Sequence, residues 1–329
     1  MTSREILERH QVWVYLTAVI LGLVAGTLWP DAGYVTEALV WPVLALLLYA
    51  TFTQMPLALV PAAFKDRRFL AAALVGNFAI IPVLVWVLVQ FAPDDDALRL
   101  GLLLVLLVPC TDWFITFSQL GRGDATRATA LTPVALVLQL LLLPGYLGLM
   151  ADIDFASVFA LADVWPALLV VLVPLVLAAL TEVWARKNPD RERVVEHLGG
   201  WPVPLLAVVI LLVATAHVGE VGETLQLLPI VVGIAVAFLA SSLVIAKVLG
   251  VIGRLPASQG RTLAFSLGTR NSFIVLPFAL SLPAGWEVAA IVIVMQSLVE
   301  LFGMVFYLWF VPRVLFRDPA PLPLRDRHS

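Results

Sequence analysis

Residues 99–120 read RLGLLLVLLVPCTDWFITFSQL. The stretch is long and apolar enough for a membrane-spanning helix, which needs about 20 residues, but Pro109-Cys110-Thr111-Asp112 interrupts it near its middle. Proline has no backbone amide to donate, so a regular helix breaks there and carbonyl groups are freed. Unpaired backbone is not tolerated in lipid, although it can line a cavity inside a protein. The stretch therefore predicts a broken helix in the interior of a membrane protein.

Composition supports the same class for the whole chain. Of its 329 residues 61% are hydrophobic and 13% are charged, and the mean hydropathy is +1.00. Soluble domains carry about 25% charged residues, so a soluble globular protein is excluded. The sequence predicts an all-α membrane protein with one transmembrane domain over residues 1–329 and ten spans. The predicted spans are residues 12–30, 37–61, 70–92, 99–120, 128–150, 164–185, 201–219, 226–249, 261–283 and 288–312.

The charges in the connections predict the orientation. Cytoplasmic loops carry an excess of lysine and arginine. If the N-terminus is inside, the inner segments hold 18 of the 20 basic residues, and the outer loops are acidic. We therefore expect a multi-pass protein of the plasma (inner) membrane with both termini in the cytoplasm. A polar, Pro-rich tail that begins at Arg317 is predicted to be disordered, within a cytoplasmic segment of residues 313–329.

Ten spans divide into two units of five. A duplicated five-helix unit must insert its second copy upside down, which is the inverted-repeat plan of many secondary transporters. The repeats would cover about residues 12–150 and 164–312. A second interruption, Gly268-Thr269-Arg270-Asn271-Ser272, falls in the ninth span, the repeat partner of the fourth. Matching interrupted helices indicate a transport site, so we expect helices 4 and 9 to be broken and to cross there.

Polar side chains cluster at these two interruptions. If the helices cross, their polar stretches face each other at mid-membrane, and the alternative is a packing kink whose polar groups bond between helices. The predicted substrate-binding residues are Cys110, Thr111, Asp112, Arg270, Asn271 and Ser272.

Three ionisable residues lie well within spans, where charge is costly and usually marks function. Asp112 and Arg270 are possible partners across the crossing, either as a gate or as a structural pair. Glu300 lies near Gln296 in the tenth span. Asp112 and Glu300 are the predicted proton-coupling groups, and for Glu300 a carboxyl kept neutral or paired between helices is an equal alternative.

Cys110 is the only cysteine. A free cysteine is usually a small buried apolar residue, but a thiolate is also a soft ligand for soft metals and metalloids. The chain has no phosphate-binding loop, no metal-ligand spacing of histidines and no cofactor motif. An enzyme is therefore not expected, and neither is a nucleic-acid partner. A membrane sensor or scaffold would need an output domain or a long interaction tail, and the sequence has neither.

The two interruptions resemble a known family. Pro109-Cys110-Thr111, Ser118-Gln119-Leu120 and Gly121-Arg122-Gly123-Asp124 resemble the fourth-helix signature of the arsenite efflux permeases, which belong to the bile acid:sodium symporter superfamily. The resemblance implies a ten-helix inverted-repeat fold with a core domain, a panel domain and alternating access between them. It also implies that the thiol of Cys110 contacts the metalloid.

The ninth helix departs from the pattern of those families. Ile274 stands where the arsenite permeases have an acidic residue, and Ser266 and Arg270 match the Glu and Gln of the sodium-coupled members. The arginine argues against sodium coupling in its usual form. We therefore expect a secondary transporter that exports arsenite or a related metalloid oxyanion by proton antiport. The alternative is a bile acid:sodium symporter-like carrier of a small organic anion. The expected partners are the substrate and the lipid bilayer.

Overall fold

The computed structural model describes residues 3–29, 31–55, 66–151, 161–219 and 226–318. All the regular elements in this part of the chain are helical, which confirms the all-α class. Two π-helical turns join or extend the α-helices, Gly76–Ile80 between α3 and α4 and Val311–Leu315 after α14. The α-helices are α1 (Ser3–Leu28), α2 (Ala32–Phe52), α3 (Arg67–Val75), α4 (Ile81–Val89), α5 (Asp96–Leu107), α6 (Trp113–Leu120), α7 (Ala125–Met150), α8 (Leu161–Ala185), α9 (Pro189–Leu198), α10 (Pro202–Ala216), α11 (Leu228–Ile252), α12 (Ala257–Gly268), α13 (Ser272–Leu280) and α14 (Glu287–Phe310).

The chain is a multi-span membrane protein. Within the described ranges, eight helical stretches are long and apolar enough to cross a membrane. The predicted fourth and ninth spans are each divided into two shorter helices, α5 with α6 and α12 with α13, so neither reaches that length alone. The two broken helices are thus confirmed, whereas the count of ten spans and the five-plus-five repeat stay predictions.

The helices pack in two groups. Helices α1, α2, α8 and α10 form the group that we call the panel, in which α10 packs against both α1 and α2, and α8 packs against α2. Helices α3 to α7 and α11 to α14 form the group that we call the core. Small residues let the panel helices approach closely: a Cβ atom on Gly22 would lie 2.5 Å from the carbonyl oxygen of Leu211 in α10. Such close packing is typical of helices in membranes, where dispersion contacts replace the hydrophobic effect.

The first half of each broken helix lies at the centre of the core. Ten of the twelve residues of α5 are buried, and so are ten of the twelve residues of α12. A helix that is buried on nearly every side is surrounded by protein rather than by lipid. Helix α5 packs mainly against α14, and α12 packs mainly against α11. The breaks at the ends of these two helices are therefore shielded from the bilayer.

Polar contacts fasten the core at the end of the bundle that carries Arg122, Arg127, Arg254 and Arg261, which we call the basic end. Asp66 caps α3 by accepting from the amide of Phe69 at 3.2 Å. Its other carboxylate oxygen accepts from Nε of Arg127 at 2.8 Å and from the side-chain amide of Gln259 at 2.9 Å. Burial opposes ionisation of Asp66, but these three donors outweigh it and lower its pKa. One carboxylate thus joins α3, α7 and α12.

The start of the predicted tail is also held at the basic end. Arg261 donates to the carbonyl oxygens of Phe316 at 2.9 Å and Arg122 at 3.1 Å, and to the carboxylate of Asp318 at 2.7 Å. The disordered tail was expected from Arg317 onward, so the expectation is wrong at this first turn. A buried guanidinium needs several acceptors, and the returning chain supplies them. Residues 319–329 lie outside the described part.

Replacing Asp66 by Asn should lower the melting temperature at neutral pH, because the carboxylate is lost from the Arg127 contact. The folded pKa of Asp66 lies below its ordinary value of 3.8. Its contribution to stability is therefore present above pH 3.8 and is lost as the pH falls through the folded pKa. The difference in melting temperature between the wild type and D66N, measured on purified protein, should shrink as the pH drops below 3.8. A difference that stays constant contradicts this.

Replacing Gly101 by Ala should destabilise the core. A Cβ atom there would lie 2.8 Å from the backbone of Ala289 in α14, closer than van der Waals contact. Overpacking of this kind costs about 1–3 kcal/mol. Gly148 is the matched control, because a Cβ atom at that position meets nothing within 4 Å. Thermal unfolding should show a lower melting temperature for G101A and an equal or higher one for G148A, and equal losses would disprove the close approach.

Candidate functional site

The two helix breaks meet through their backbones. The amide of Cys110 donates to the carbonyl oxygen of Thr269 at 3.1 Å. The amide of Asn271 donates to the carbonyl oxygen of Val108 at 2.8 Å, so the two segments form a short antiparallel bridge. The expectation that the interrupted helices cross is confirmed.

We call the paired breaks, residues 108–112 and 269–272, the crossing. Val108 (φ −102°, ψ 107°) and Thr269 (φ −103°, ψ 142°) have extended backbones. An extended residue turns its amide and carbonyl sideways, as in a strand, where a neighbouring segment can reach them. Pro109 has no amide and cannot continue α5. Each break thus supplies the backbone partners that the other lacks.

A side-chain bond reinforces the bridge. The amide nitrogen of Asn271 donates to the hydroxyl of Thr111 at 2.8 Å, and its oxygen accepts from the amide of Ile274 at 3.3 Å. Asn271 therefore caps α13 and also ties it to the other break. Both Thr111 and Asn271 are buried. Leaving either polar group without its partner in this interior would be costly.

Cys110 and Asp112 contact each other. The thiol is 3% exposed, and it donates to the Oδ1 atom of Asp112 at 3.1 Å. Asp112 is at the N-cap position of α6, but its side chain does not cap that helix. In the described ranges, no group of three or more His, Cys, Asp or Glu residues could hold a metal ion. The thiol thus has a carboxylate as its hydrogen-bond acceptor.

Arg270 does not bind where the sequence suggested. We expected its guanidinium to face Asp112, but its Nη2 atom donates to the carbonyl oxygens of Ser266 at 3.2 Å and Leu267 at 2.8 Å. The same atom donates to the side-chain oxygen of Asn77 at 3.0 Å. The predicted pair of Arg270 with Asp112 is therefore wrong. The last carbonyls of a helix lack helical donors, and the side chain of Arg270 turns back along α12 to bind them.

Asn77 is a site residue that the sequence interpretation missed. It lies in the π-helical turn Gly76–Ile80, and its nitrogen also donates to the hydroxyl of Ser266 at 3.0 Å. Single π-helical turns inside α-helices are frequent at functional sites. The available signal was an amide in the middle of an apolar span, where polar groups are usually retained for a reason. The π-turn that aims it at Arg270 leaves no such mark on the sequence.

Glu300 binds the backbone of the crossing. Its Oε2 atom accepts from the amide of Arg270 at 3.0 Å and from the side-chain amide of Gln296 at 3.0 Å. The carboxylate thus satisfies an amide that the break in the ninth span frees. Ser272, the first residue of α13, is placed differently, because its hydroxyl is 2.5 Å from that of Ser297 in α14.

A cavity of about 190 Å³ lies between the panel and the core, next to the crossing. Two of the six predicted substrate-binding residues, Thr111 and Asp112, line it. The wall comes from the ends of α1, α2, α6, α7 and α10, so the cavity lies on the basic-end side of the crossing. No lysine, arginine or histidine is among its described lining residues. The polar side chains that line it are Gln11, Thr51, Gln54, Thr111, Asp112, Thr116 and Thr129, together with the indole of Trp113.

Trp113 links the two helix groups beside this cavity. Its ring stacks on Tyr15 of the panel with 5.9 Å between ring centroids. It also meets Phe273 of the core edge to face at 5.3 Å. Stacked and edge-to-face pairs stabilise a contact beyond the area that they bury. The cavity is therefore bounded by an aromatic contact between panel and core.

Comparison with known families gives a match for this chain. The model of the Sodium Bile acid symporter family matches residues 41–224, more than half of the chain. The chain belongs to the sodium bile acid symporter family. A search of curated proteins gives no match. Membership of this symporter family makes the chain a multi-pass secondary transporter of the bile acid:sodium symporter type.

The symporter-family match includes only one of the two broken helices. It covers α5 and α6 and ends before α12 and α13. The role of the second broken helix therefore rests on the backbone bridge rather than on the family match. The match names no cargo for this chain.

Replacing Thr111 by Val should destabilise the crossing, because the side-chain amide of Asn271 would lose its acceptor. A buried donor without a partner costs about 1–3 kcal/mol. Thr132 is the matched control: it is equally buried, but its hydroxyl donates to the Ala128 carbonyl of its own helix and has no described bond to another helix. T111V should melt several degrees below T132V in detergent or nanodiscs, whereas equal melting temperatures would show that the bond contributes nothing.

Proposed function

We propose that this transporter exports arsenite or a related metalloid oxyanion from the cytoplasm by proton antiport. The observation that carries the proposal is a cavity with seven polar side chains and no basic residue among its described lining, placed against Thr111 and Asp112 at the crossing. In neutral solution arsenite is uncharged arsenous acid, which presents three hydroxyl groups. Hydroxyl and amide side chains suit such a cargo, because each can both donate and accept.

The sole thiol supports the choice of a metalloid. Thiols are soft ligands, and Cys110 lies next to the two crossing residues that line the cavity. Ligation would form an As–S bond and release one As–OH group as water. The thiol proton leaves with that hydroxyl, and Asp112, which already accepts from the thiol at 3.1 Å, is placed to carry it. A single As–S bond holds the cargo reversibly, as a carrier requires.

Two carboxylates support proton coupling in different ways. Asp112 reaches the cavity and can exchange a proton beside the cargo. Glu300 accepts from the backbone amide of Arg270 and from Gln296, so a change in its protonation would be felt at the break itself. We propose Asp112 as the group that exchanges its proton with cargo and Glu300 as the group that reports protonation to the crossing.

The proposed direction follows from the position of the cavity. Basic loops face the cytoplasm in most membrane proteins, and the cavity lies on the basic-end side of the crossing. In an inner membrane with both termini in the cytoplasm, the cavity of this conformation would load from inside the cell. Loading from inside is the step that begins export.

A small organic anion is the second candidate, favoured by membership of the symporter family. The argument from the sequence for an anion was the charge of Arg270. In the structure that guanidinium is bonded to Asn77 and to backbone carbonyls instead of lining the cavity. Asp112 would also repel a carboxylate, so the cavity favours the neutral cargo.

The test is arsenite accumulation in arsenite-sensitive bacterial cells with and without the protein. The wild type should lower intracellular arsenic severalfold, and Cys110→Ser should abolish most of that effect at equal membrane abundance. T132V serves as the control, because Thr132 does not line the cavity. Everted vesicles with an imposed pH gradient then test the coupling, since arsenite uptake should follow the gradient and vanish with a protonophore.

Unchanged arsenic accumulation with well-folded wild-type protein in the membrane would overturn the metalloid proposal. A carboxylate that is transported and that still moves with C110S would support the organic anion instead. Arsenite export that survives in C110S would retain the cargo but remove the thiol from its recognition.

A further inference from the structure

The guanidinium of Arg270 fills a pocket made of oxygen atoms. Its Nη2 atom is bonded to the side-chain oxygen of Asn77 at 3.0 Å and to the carbonyl oxygens of Ser266 at 3.2 Å and Leu267 at 2.8 Å. Its Nη1 atom donates to the carbonyl oxygen of Leu106 at 3.4 Å. Arg270 is 2% exposed. All four acceptors are neutral oxygens, and they come from three different spans.

Three of these oxygens belong to helix ends. Leu106 lies in the last turn of α5, and Ser266 and Leu267 lie in the last turn of α12. The last four carbonyls of a helix have no helical donor, and the helix dipole makes that end negative. Both broken helices therefore direct partial negative charge at one place. The ring of Phe238 lies 5.1 Å from the guanidinium carbon and adds the negative face of its π system.

A shell of neutral carbonyl and amide oxygens is the kind of site that binds a small monovalent cation, because such oxygens replace its water shell. Here the cation is covalently attached to the chain. Arginine keeps its positive charge in nearly every protein environment. The side chain is also fixed in place by four bonds, so it cannot leave when the carrier changes conformation.

We propose that Arg270 is a permanent, tethered cation that occupies the place of a mobile alkali ion, so that this member of the sodium symporter family works without sodium. The inference deepens the proposed function, and it rests on that function only for its link to transport. It places Arg270 in the position of a coupling ion and does not give it a role in cargo binding. It also explains why Asn77 is placed on a π-turn, since the turn brings a fourth oxygen to the guanidinium.

The test compares cation responses of purified wild type and Arg270→Gln in nanodiscs. The melting temperature of the wild type should be the same in sodium, potassium and choline chloride of equal ionic strength. Glutamine is shorter and neutral, so R270Q should leave the oxygens of Leu106, Ser266 and Leu267 free for an ion. Sodium should then raise its melting temperature saturably by about 2–4 °C, with no effect of choline. Arg270→Lys keeps a tethered charge and should stay indifferent to sodium.

Arg261→Gln is the matched control. Arg261 is on the same helix, is equally buried and also binds carbonyl oxygens, but it lies at the basic end. R261Q should be less stable without any specific sodium response. A saturable sodium response of the wild type would overturn the proposal, and so would a folded R270Q that behaves alike in sodium and choline.

If R270Q is recovered folded only when sodium is present during purification, that result also supports the site. If it is recovered in neither salt, the wild type decides: a sodium-dependent melting temperature overturns the proposal, and a sodium-independent melting temperature supports it. These measurements of stability need no cargo. If the sodium responses are as expected but arsenite is not exported, only the cargo proposal fails. If arsenite is exported but the sodium responses are not those expected, only the tethered-cation proposal fails.

Discussion

The backbone bridge between the two helix breaks is the contact on which the rest of the site depends. A helix that stops inside a membrane leaves amides and carbonyls that lipid cannot satisfy. Here the amides of Cys110 and Asn271 and the carbonyls of Thr269 and Val108 satisfy one another. Other freed groups bind side chains: the amide of Arg270 binds Glu300, and carbonyls in the last turns of α5 and α12 bind the guanidinium. The polar side chains of the site thus serve to satisfy backbone groups that the two helix breaks leave free.

Much of this arrangement could be predicted from the sequence. Apolar runs of spanning length are a strong signal because the thickness of the bilayer sets their length. Pro109 marks one break because proline has no backbone amide to donate, and Gly268 marks the other because glycine has a permissive backbone. The partner of Arg270 could not be predicted in the same way. A long flexible side chain can reach either across the crossing to Asp112 or back along its own helix. The choice depends on the π-turn at Asn77, which is a property of packing and not of local sequence.

The family match concerns the fold, whereas the lining of the cavity concerns the cargo. The match to the sodium bile acid symporter family runs from within α2 to beyond the end of α10 and includes the first broken helix. The match names no cargo, whereas the cavity has hydroxyl and amide groups, one carboxylate and no basic residue among its described lining. Arg270 carries a positive charge at the crossing, but its guanidinium binds backbone oxygens and does not line the cavity. A carrier with the scaffold of this symporter family therefore presents hydroxyl, amide and carboxylate groups, and no described basic residue, to what it carries.

The bridge also determines which parts of the molecule can move. Opening the crossing would expose paired amides and carbonyls at the same time, and that cost opposes separation of the two helix breaks. The contact of Trp113 with Tyr15 is of another kind, since it joins core and panel through stacked rings and not through backbone hydrogen bonds. Among the described residues no backbone hydrogen bond joins panel and core, so a displacement along the seam between them would break none of those bonds. Such a displacement would carry the crossing as an intact unit and keep its internal geometry.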